Sequence, residues 1–190
     1  MRCWSILLAG VLSGCALLPS APLTRPAKPE TAPFALNGRI SINYRGERHF
    51  AGLRWNHRAR SDEILLLAPL GQTVARIYRD AGHATLDSGD KHYQANDVET
   101  LMQKALHWYL PVGGLHYWVL GMADTRTTAK IERAENGQAS VLFQDGWEVR
   151  YLRYADENKP DSLPAHLQMS REDLQVQLLI DGWEWNPQPD

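Results

Sequence analysis

Cysteine is almost missing from this chain of 190 residues: Cys3 and Cys15 are the only two. Cys3 lies in an amino-terminal leader, so the mature chain has no pair with which to form an internal disulfide. Long apolar runs are missing as well. The run CWSILLAGVL, Cys3 to Leu12, falls short of the ~20 apolar residues that span a bilayer. No second run follows it. Clusters of lysine and arginine are absent, which argues against nucleic acid as a partner. There is no Walker loop, no Gly-x-Gly-x-x-Gly after a strand and no Gly-x-Ser-x-Gly elbow. The seven histidines, His49, His57, His83, His92, His107, His116 and His166, show no pair at helical ligand spacing. They read as solvated strand residues, although His49 and His57 could in principle face one another across strands. With cysteine unavailable, neither a metal site nor a cofactor is expected. The carboxylates are scattered, and nothing singles out a catalytic residue.

What is present begins at the amino terminus. Arg2 supplies a short positive segment, the apolar run follows, and Leu12-Ser13-Gly14 precede Cys15. Residues 1–14 read as a signal peptide, to be set aside from the fold. LSGC resembles the lipobox of bacterial lipoproteins. That resemblance implies cleavage before Cys15, a diacylglycerol on its sulfur and an acyl chain on its amine. Ala16 and Leu17 follow, with no aspartate, which by the same resemblance implies export to the outer membrane. Several acyl chains anchor stably where one is marginal. Residues 15–33 then carry Pro19, Pro22, Pro26, Pro29 and Pro33, which exclude a helix or a central strand. They read as a semi-rigid tether reaching roughly 50 Å in polyproline II geometry.

Residues 34–190 are about the size of one domain. Removal of Arg2 with the leader leaves 19 basic against 22 acidic side chains. Alternation dominates: in FALNGRISINY, Phe34, Leu36, Ile40, Ile42 and Tyr44 fall on one face, and Asn37, Arg39, Ser41 and Asn43 on the other. AGLRW, GWEVRYLRY and LQVQLLI repeat the pattern. Turn signals at Arg45-Gly46, Ala81-Gly82, Ser88-Gly89-Asp90, Asn136-Gly137 and Asp145-Gly146 separate the runs. They predict a mainly β, curved antiparallel meander of about eleven strands, with Asn136-Gly137 the strongest hairpin signal. The middle differs. NDVETLMQKALHWY has helical spacing, with Asn96 and Glu99 as a capping box and Pro111 as the breaker. VGGLHYWVLG predicts a second short helix ending at Gly121. The two helices are expected to cover the dry concave face.

One stretch poses a question. In EILLLAPLGQTVARIY, Ala68-Pro69-Leu70-Gly71 reads as a type I turn. It sets Leu70 at a hairpin tip, where the chain meets water. The six mature tryptophans, Trp55, Trp108, Trp118, Trp147, Trp183 and Trp185, admit two readings: ordinary core, or the walls of an apolar cavity suited to acyl chains. Composition does not separate them.

In order along the chain come the lipobox, LNGRISI, LRWN, LLLAPLGQTVARI, a capped helix, LPVGGLHYWVLG, GWEVRY, LPAHLQMS and a closing tryptophan strand. This ordered set resembles the LolB family of outer-membrane lipoprotein receptors. The resemblance implies an unclosed β-barrel with helices over its mouth. It implies a task too: accepting lipoproteins from the periplasmic carrier LolA by their acyl chains and inserting them into the outer membrane, without nucleotide hydrolysis. Pro69, Leu70 and Gly71 match the family's protruding membrane-delivery loop. Leu36, Ile40, Ile42, Leu53, Trp55, Leu66, Leu101, Leu115, Trp118, Trp147, Val149 and Trp183 are the candidate cavity lining. The expected partners are LolA, lipoprotein cargo and outer-membrane lipids, and a monomer is expected. The competing readings are an assembly lipoprotein that binds a protein along an exposed strand edge and a lipid-processing hydrolase.

Overall fold

The computed structural model describes residues 24–106 and 112–185. The leader, Cys15, Trp108 and Pro111 lie outside the described residues. Alternating stretches form β1 (Phe34–Tyr44), β2 (Glu47–Arg58), β3 (Ser61–Leu67), β4 (Thr73–Asp80), β5 (His83–Ser88) and β6 (Lys91–Ala95). Two helices follow, α1 (Val98–Leu106) and α2 (Val112–Trp118). The chain then returns as β7 (Ala129–Arg133), β8 (Ala139–Gln144), β9 (Trp147–Tyr154), β10 (Pro164–Arg171) and β11 (Leu174–Trp185).

All eleven strands form one antiparallel sheet in the order β6-β5-β4-β3-β2-β1-β11-β10-β9-β8-β7. Each half is a meander of hairpins, and the seam between the halves is the long pairing of β1 with β11. No pairing joins β6 to β7, so the barrel stays open. At the seam, Asn37 pairs with Gly182 and Gly38 with Ile180, which leaves Asp181 as a bulge. Gly38 is obligatory there: a Cβ at that position would lie 2.1 Å from the Leu179 carbonyl oxygen. Asp181, turned outward, accepts from Arg39 at 3.0 and 3.3 Å.

Alternation places Leu36, Leu53, Trp55, Ile64 and Ile77 on the inner face, where all are buried. The helices cover that face through Val98, Leu101 and Met102 of α1 and Val112, Leu115 and Trp118 of α2. The cap of α1 is Asp97 and not the expected Asn96. Its carboxylate accepts from the Thr100 amide at 2.7 Å and the Thr100 hydroxyl at 2.8 Å. The helix starts at Val98, and the residue immediately before the first helical one is the cap. α2 ends in a Schellman turn: the Met122 amide donates to the Tyr117 carbonyl at 3.0 Å and the Gly121 amide to Trp118 at 2.9 Å. Gly121 supplies the left-handed residue, at φ +73°.

Residues 24–33 lie against the domain and do not extend away from it. Thr24 bridges Ser162, the Arg25 guanidinium donates to the Leu120 carbonyl at 3.0 Å, and Pro29 is buried. Proline content excluded helix and sheet for this segment, but it carried no information on docking.

Candidate functional site: an apolar cavity beside an exposed turn

Between the sheet and the helices lies a cavity of about 500 Å³, within the usual ~300–1,000 Å³ of ligand pockets. Its walls are apolar: Leu53, Ile64, Leu66, Ile77 and Leu86 from the sheet, Met102 and Ala105 from α1, Val112 and Leu115 from α2. The exposed members of the lining, Glu47, His49, Val74 and Ser88, gather at one end of the strands. The cavity therefore opens toward that end, with apolar walls behind a polar rim.

The hairpin β3–β4 stands at the same end. The Gly71 amide donates to the Ala68 carbonyl at 2.8 Å, and the Ala68 amide donates to Gln72 at 2.8 Å. Gly71 has φ +85°, whereas Leu70 is not among the positive-φ residues. That is a type I turn closed by a left-handed glycine, the usual three-residue hairpin loop. Leu70 is 86% exposed. Val74, four residues on, lines the cavity, so the turn stands beside the mouth.

Of the twelve expected lining residues, Ile40, Ile42, Leu53, Trp55, Leu66 and Leu115 reach the cavity. Leu36, Leu101, Trp118, Trp147 and Val149 instead fill packed core, each essentially without exposure. Trp183 is partly buried against that core, with its ring 5.3 Å from Phe34. Trp118 is fastened in place. Its indole N–H donates to Gln144 Oε1 at 2.9 Å, and its carbonyl accepts from the Tyr151 hydroxyl at 3.0 Å. Buried Gln144 also donates to the Asp124 carbonyl at 2.7 Å. These bonds fix α2 as a rigid cover.

Below the cavity wall the structure holds a polar cluster that the strand-histidine reading missed. Asp62 is buried, and its Oδ1 accepts from the Trp55 indole at 2.7 Å and lies 2.7 Å from His57 Nδ1. The Arg79 guanidinium pairs with its other oxygen. Burial opposes the charge on Asp62, but the bond to His57 and the charges of His57 and Arg79 outweigh it and hold the carboxyl below its usual range. His116, on α2, stacks on His57 with ring centroids 4.6 Å apart. Burial, reinforced by the His57 charge, pushes the pKa of His116 down to about 4. His57 and His116 are thus buried structural groups, not solvated ones, while His49 stays at the exposed rim. His49 and His57 share β2, so they do not face each other across strands. The signal was available: His57 falls in phase with Leu53 and Trp55, and Asp62 with Ile64 and Leu66. Among the described residues no group of histidine, cysteine and carboxylate side chains is arranged to hold a metal.

An open, helix-covered half-barrel with an apolar interior defines the class. Its relatives define the family. The model of the family described as "Outer membrane lipoprotein LolB" matches residues 32–183. The outer-membrane lipoprotein LolB of Nitrosomonas europaea is 36% identical, covering 96% of this chain and 92% of that protein. That of Chromobacterium violaceum is 36% identical, covering 93% and 95%. The chain belongs to the LolB family. A solved LolA superfamily protein from Nitrosomonas europaea, at 7% identity, shares the fold with a TM-score of 0.51 over 85% of this chain and 89% of that one.

Proposed function

We propose that this protein is an outer-membrane lipoprotein receptor and not an enzyme. In this reading Cys15 is lipidated and anchors the chain on the periplasmic face. The cavity accepts acyl chains of lipoproteins from a LolA carrier, and the turn Pro69-Leu70-Gly71 directs their release into the membrane. One observation carries the reading: an apolar cavity opens beside a hairpin whose tip is a fully presented leucine. A filled interior would have favoured the assembly role, and a nucleophile beside a base in the wall would have favoured a hydrolase. The lining holds one serine, Ser88, and its hydroxyl donates to the Val74 carbonyl at 3.2 Å.

The chemistry is one of partition. Acyl chains leave one apolar site for another, so direction needs only a difference of affinity, ~1.4 kcal/mol for each tenfold. Leu70 supplies ~1.5–3 kcal/mol if fully buried in lipid. That is enough to bias contact and too little to hold the domain there, which suits a transient release step. With residues 24–33 docked on the domain, only residues 16–23 separate Cys15 from it, so in this reading the anchor keeps the domain close to the bilayer.

A two-step assay tests this. Labelled lipoprotein is passed from carrier to receptor, then from receptor to liposomes. Leu70→Glu should load normally and fail to unload, because a carboxylate resists the acyl boundary. Normal unloading by this variant would remove the loop from the mechanism.

A further inference from the structure

The convex side of the same strands carries a second concavity, of about 710 Å³. Strand register sets its polar edge, where Asn43 pairs with Arg48 and Ser41 with Phe50. Leu67 and the turn residues Pro69 and Gly71 continue it toward the β3–β4 hairpin. Three features set this groove apart. Its lining includes arginine but no aspartate or glutamate, in a chain with more acidic than basic residues. Arg39 on its floor is paired with Asp181, whereas Arg48 at the edge has no carboxylate partner among the described residues. Phe50, 74% exposed, and Leu70, 86% exposed, are the two most exposed large apolar side chains among the described residues. Phe50 lines the groove, and Leu70 stands between two residues that do.

We propose that this outer groove seats one anionic phospholipid of the target bilayer. Its phosphate lies against Arg48 and the Ser41–Asn43 edge, and Phe50 enters the acyl boundary beside Leu70. The inference rests on the membrane-delivery reading of Leu70 and extends it from a point contact to a site. The guanidinium fork matches phosphate geometry. An unpaired cation next to exposed apolar side chains is the pattern of an interfacial lipid contact. A free phosphate ion would satisfy Arg48 but would leave Phe50 and Leu70 in water, and the paired exposure of those two side chains is what points to lipid. Leu70 then sets depth, and Arg48 sets which face of the hairpin meets the headgroups. The cavity mouth is thereby brought to the membrane surface.

The test uses the full-length lipidated protein with benzoylphenylalanine at position 50. It is reconstituted in vesicles of phosphatidylcholine, with or without phosphatidylglycerol, and illuminated. Mass spectrometry should find a phosphatidylglycerol adduct, enriched about fivefold over its share of the bilayer. Arg48→Gln should reduce that enrichment to its share, and Arg48→Lys, which keeps the charge but loses the fork, should restore only part of it. Excess inorganic phosphate should leave the adduct unchanged. Any of four results overturns the proposal: no lipid adduct, unchanged enrichment in Arg48→Gln, competition by inorganic phosphate, or an adduct to protein instead of lipid. Lipoprotein delivery, followed on the same samples, judges the reading on which this rests separately from the adduct.

Discussion

In the turn 68–72 the Gly71 amide donates to the Ala68 carbonyl, and the Ala68 amide donates to the carbonyl of Gln72. In the turn 134–138, between β7 and β8, the Gly137 amide donates to Ala134 at 2.9 Å, and the Ala134 amide to Gln138 at 2.9 Å. Gly71 and Gly137 have φ of +85° and +84°. APLGQ and AENGQ thus make the same backbone on opposite halves of the sheet. Their tips differ completely. Asn136 donates to Gln138 Oε1 at 2.8 Å and to the Glu157 carbonyl at 2.7 Å, and its own oxygen accepts from the Gln138 amide at 3.0 Å. Pro160 packs 3.6 Å from where a Cβ on Gly137 would stand. A Cβ built on Gly71 would meet nothing within 4 Å, and Leu70 projects into solvent. A leucine is therefore no requirement of this turn geometry. The same loop built for stability holds a polar residue with three bonds. The one that carries Leu70 has been left bare.

Exchanging the two tips should separate their roles. Glu-Asn at positions 69–70 should leave the melting temperature unchanged and slow release into liposomes by roughly 10- to 100-fold, the value of one buried leucine. Retained release would make the two turns equivalent and dissolve the comparison. Pro-Leu at 135–136 should lower stability and leave release untouched.

A pH titration checks that stability resides away from either tip. An unfolded histidine takes up its proton near 6.5, whereas His116 in the fold resists protonation down to about 4. The unfolded chain therefore binds more protons between those values, and stability must fall as pH drops through that window. The loss is on the order of 3 kcal/mol at the acid end. Asp62, held below its usual range, adds a loss of the same sign at lower pH. Thermal melts of His116→Leu should show a flatter profile from pH 7 to pH 4. An unchanged profile would move the acid sensitivity elsewhere.

Asn136→Ala should cost ~1–3 kcal/mol in chemical denaturation, since partners buried against the 156–160 loop lose their bonds. Leu70→Ala should cost almost nothing in the same measurement. Gly71→Ala and Gly137→Ala should each cost ~1–2 kcal/mol and agree closely. Both pay only for a left-handed alanine, because no atom stands closer than ordinary contact to either new Cβ. A much larger loss at Gly71 would mean that its turn is packed after all.

Much of this was legible in the sequence, and the parts that were not share a cause. Alternation located the strands, because one wet and one dry face leave a period of two. The position of Leu70 followed from turn chemistry alone. Which inner residues face the cavity did not follow. Leu53 and Leu36 carry the same pattern, yet one borders open space and the other is packed. The difference depends on what the helices place opposite each, which is a matter of tertiary packing. Trp118 looked like a cavity wall until its bond to Gln144, 26 residues away, fixed it in the core. The buried His57–Asp62 pair, with Arg79 against it, lies on the dry face where its phase puts it, whereas residue type alone points these polar side chains to the surface.

The claim on which the account depends is that acyl chains enter the cavity between sheet and helices. Bromine quenches tryptophan only on near contact, so a palmitate brominated along its chain reports which indole it meets. Trp55 lines the cavity, whereas Trp118 and Trp147 lie outside it in packed core. Brominated palmitate should quench the protein's fluorescence saturably, and Trp55→Phe should remove most of that quenching while Trp147→Phe leaves it. Saturable quenching that survives Trp55→Phe, or no quenching at all, would contradict the account.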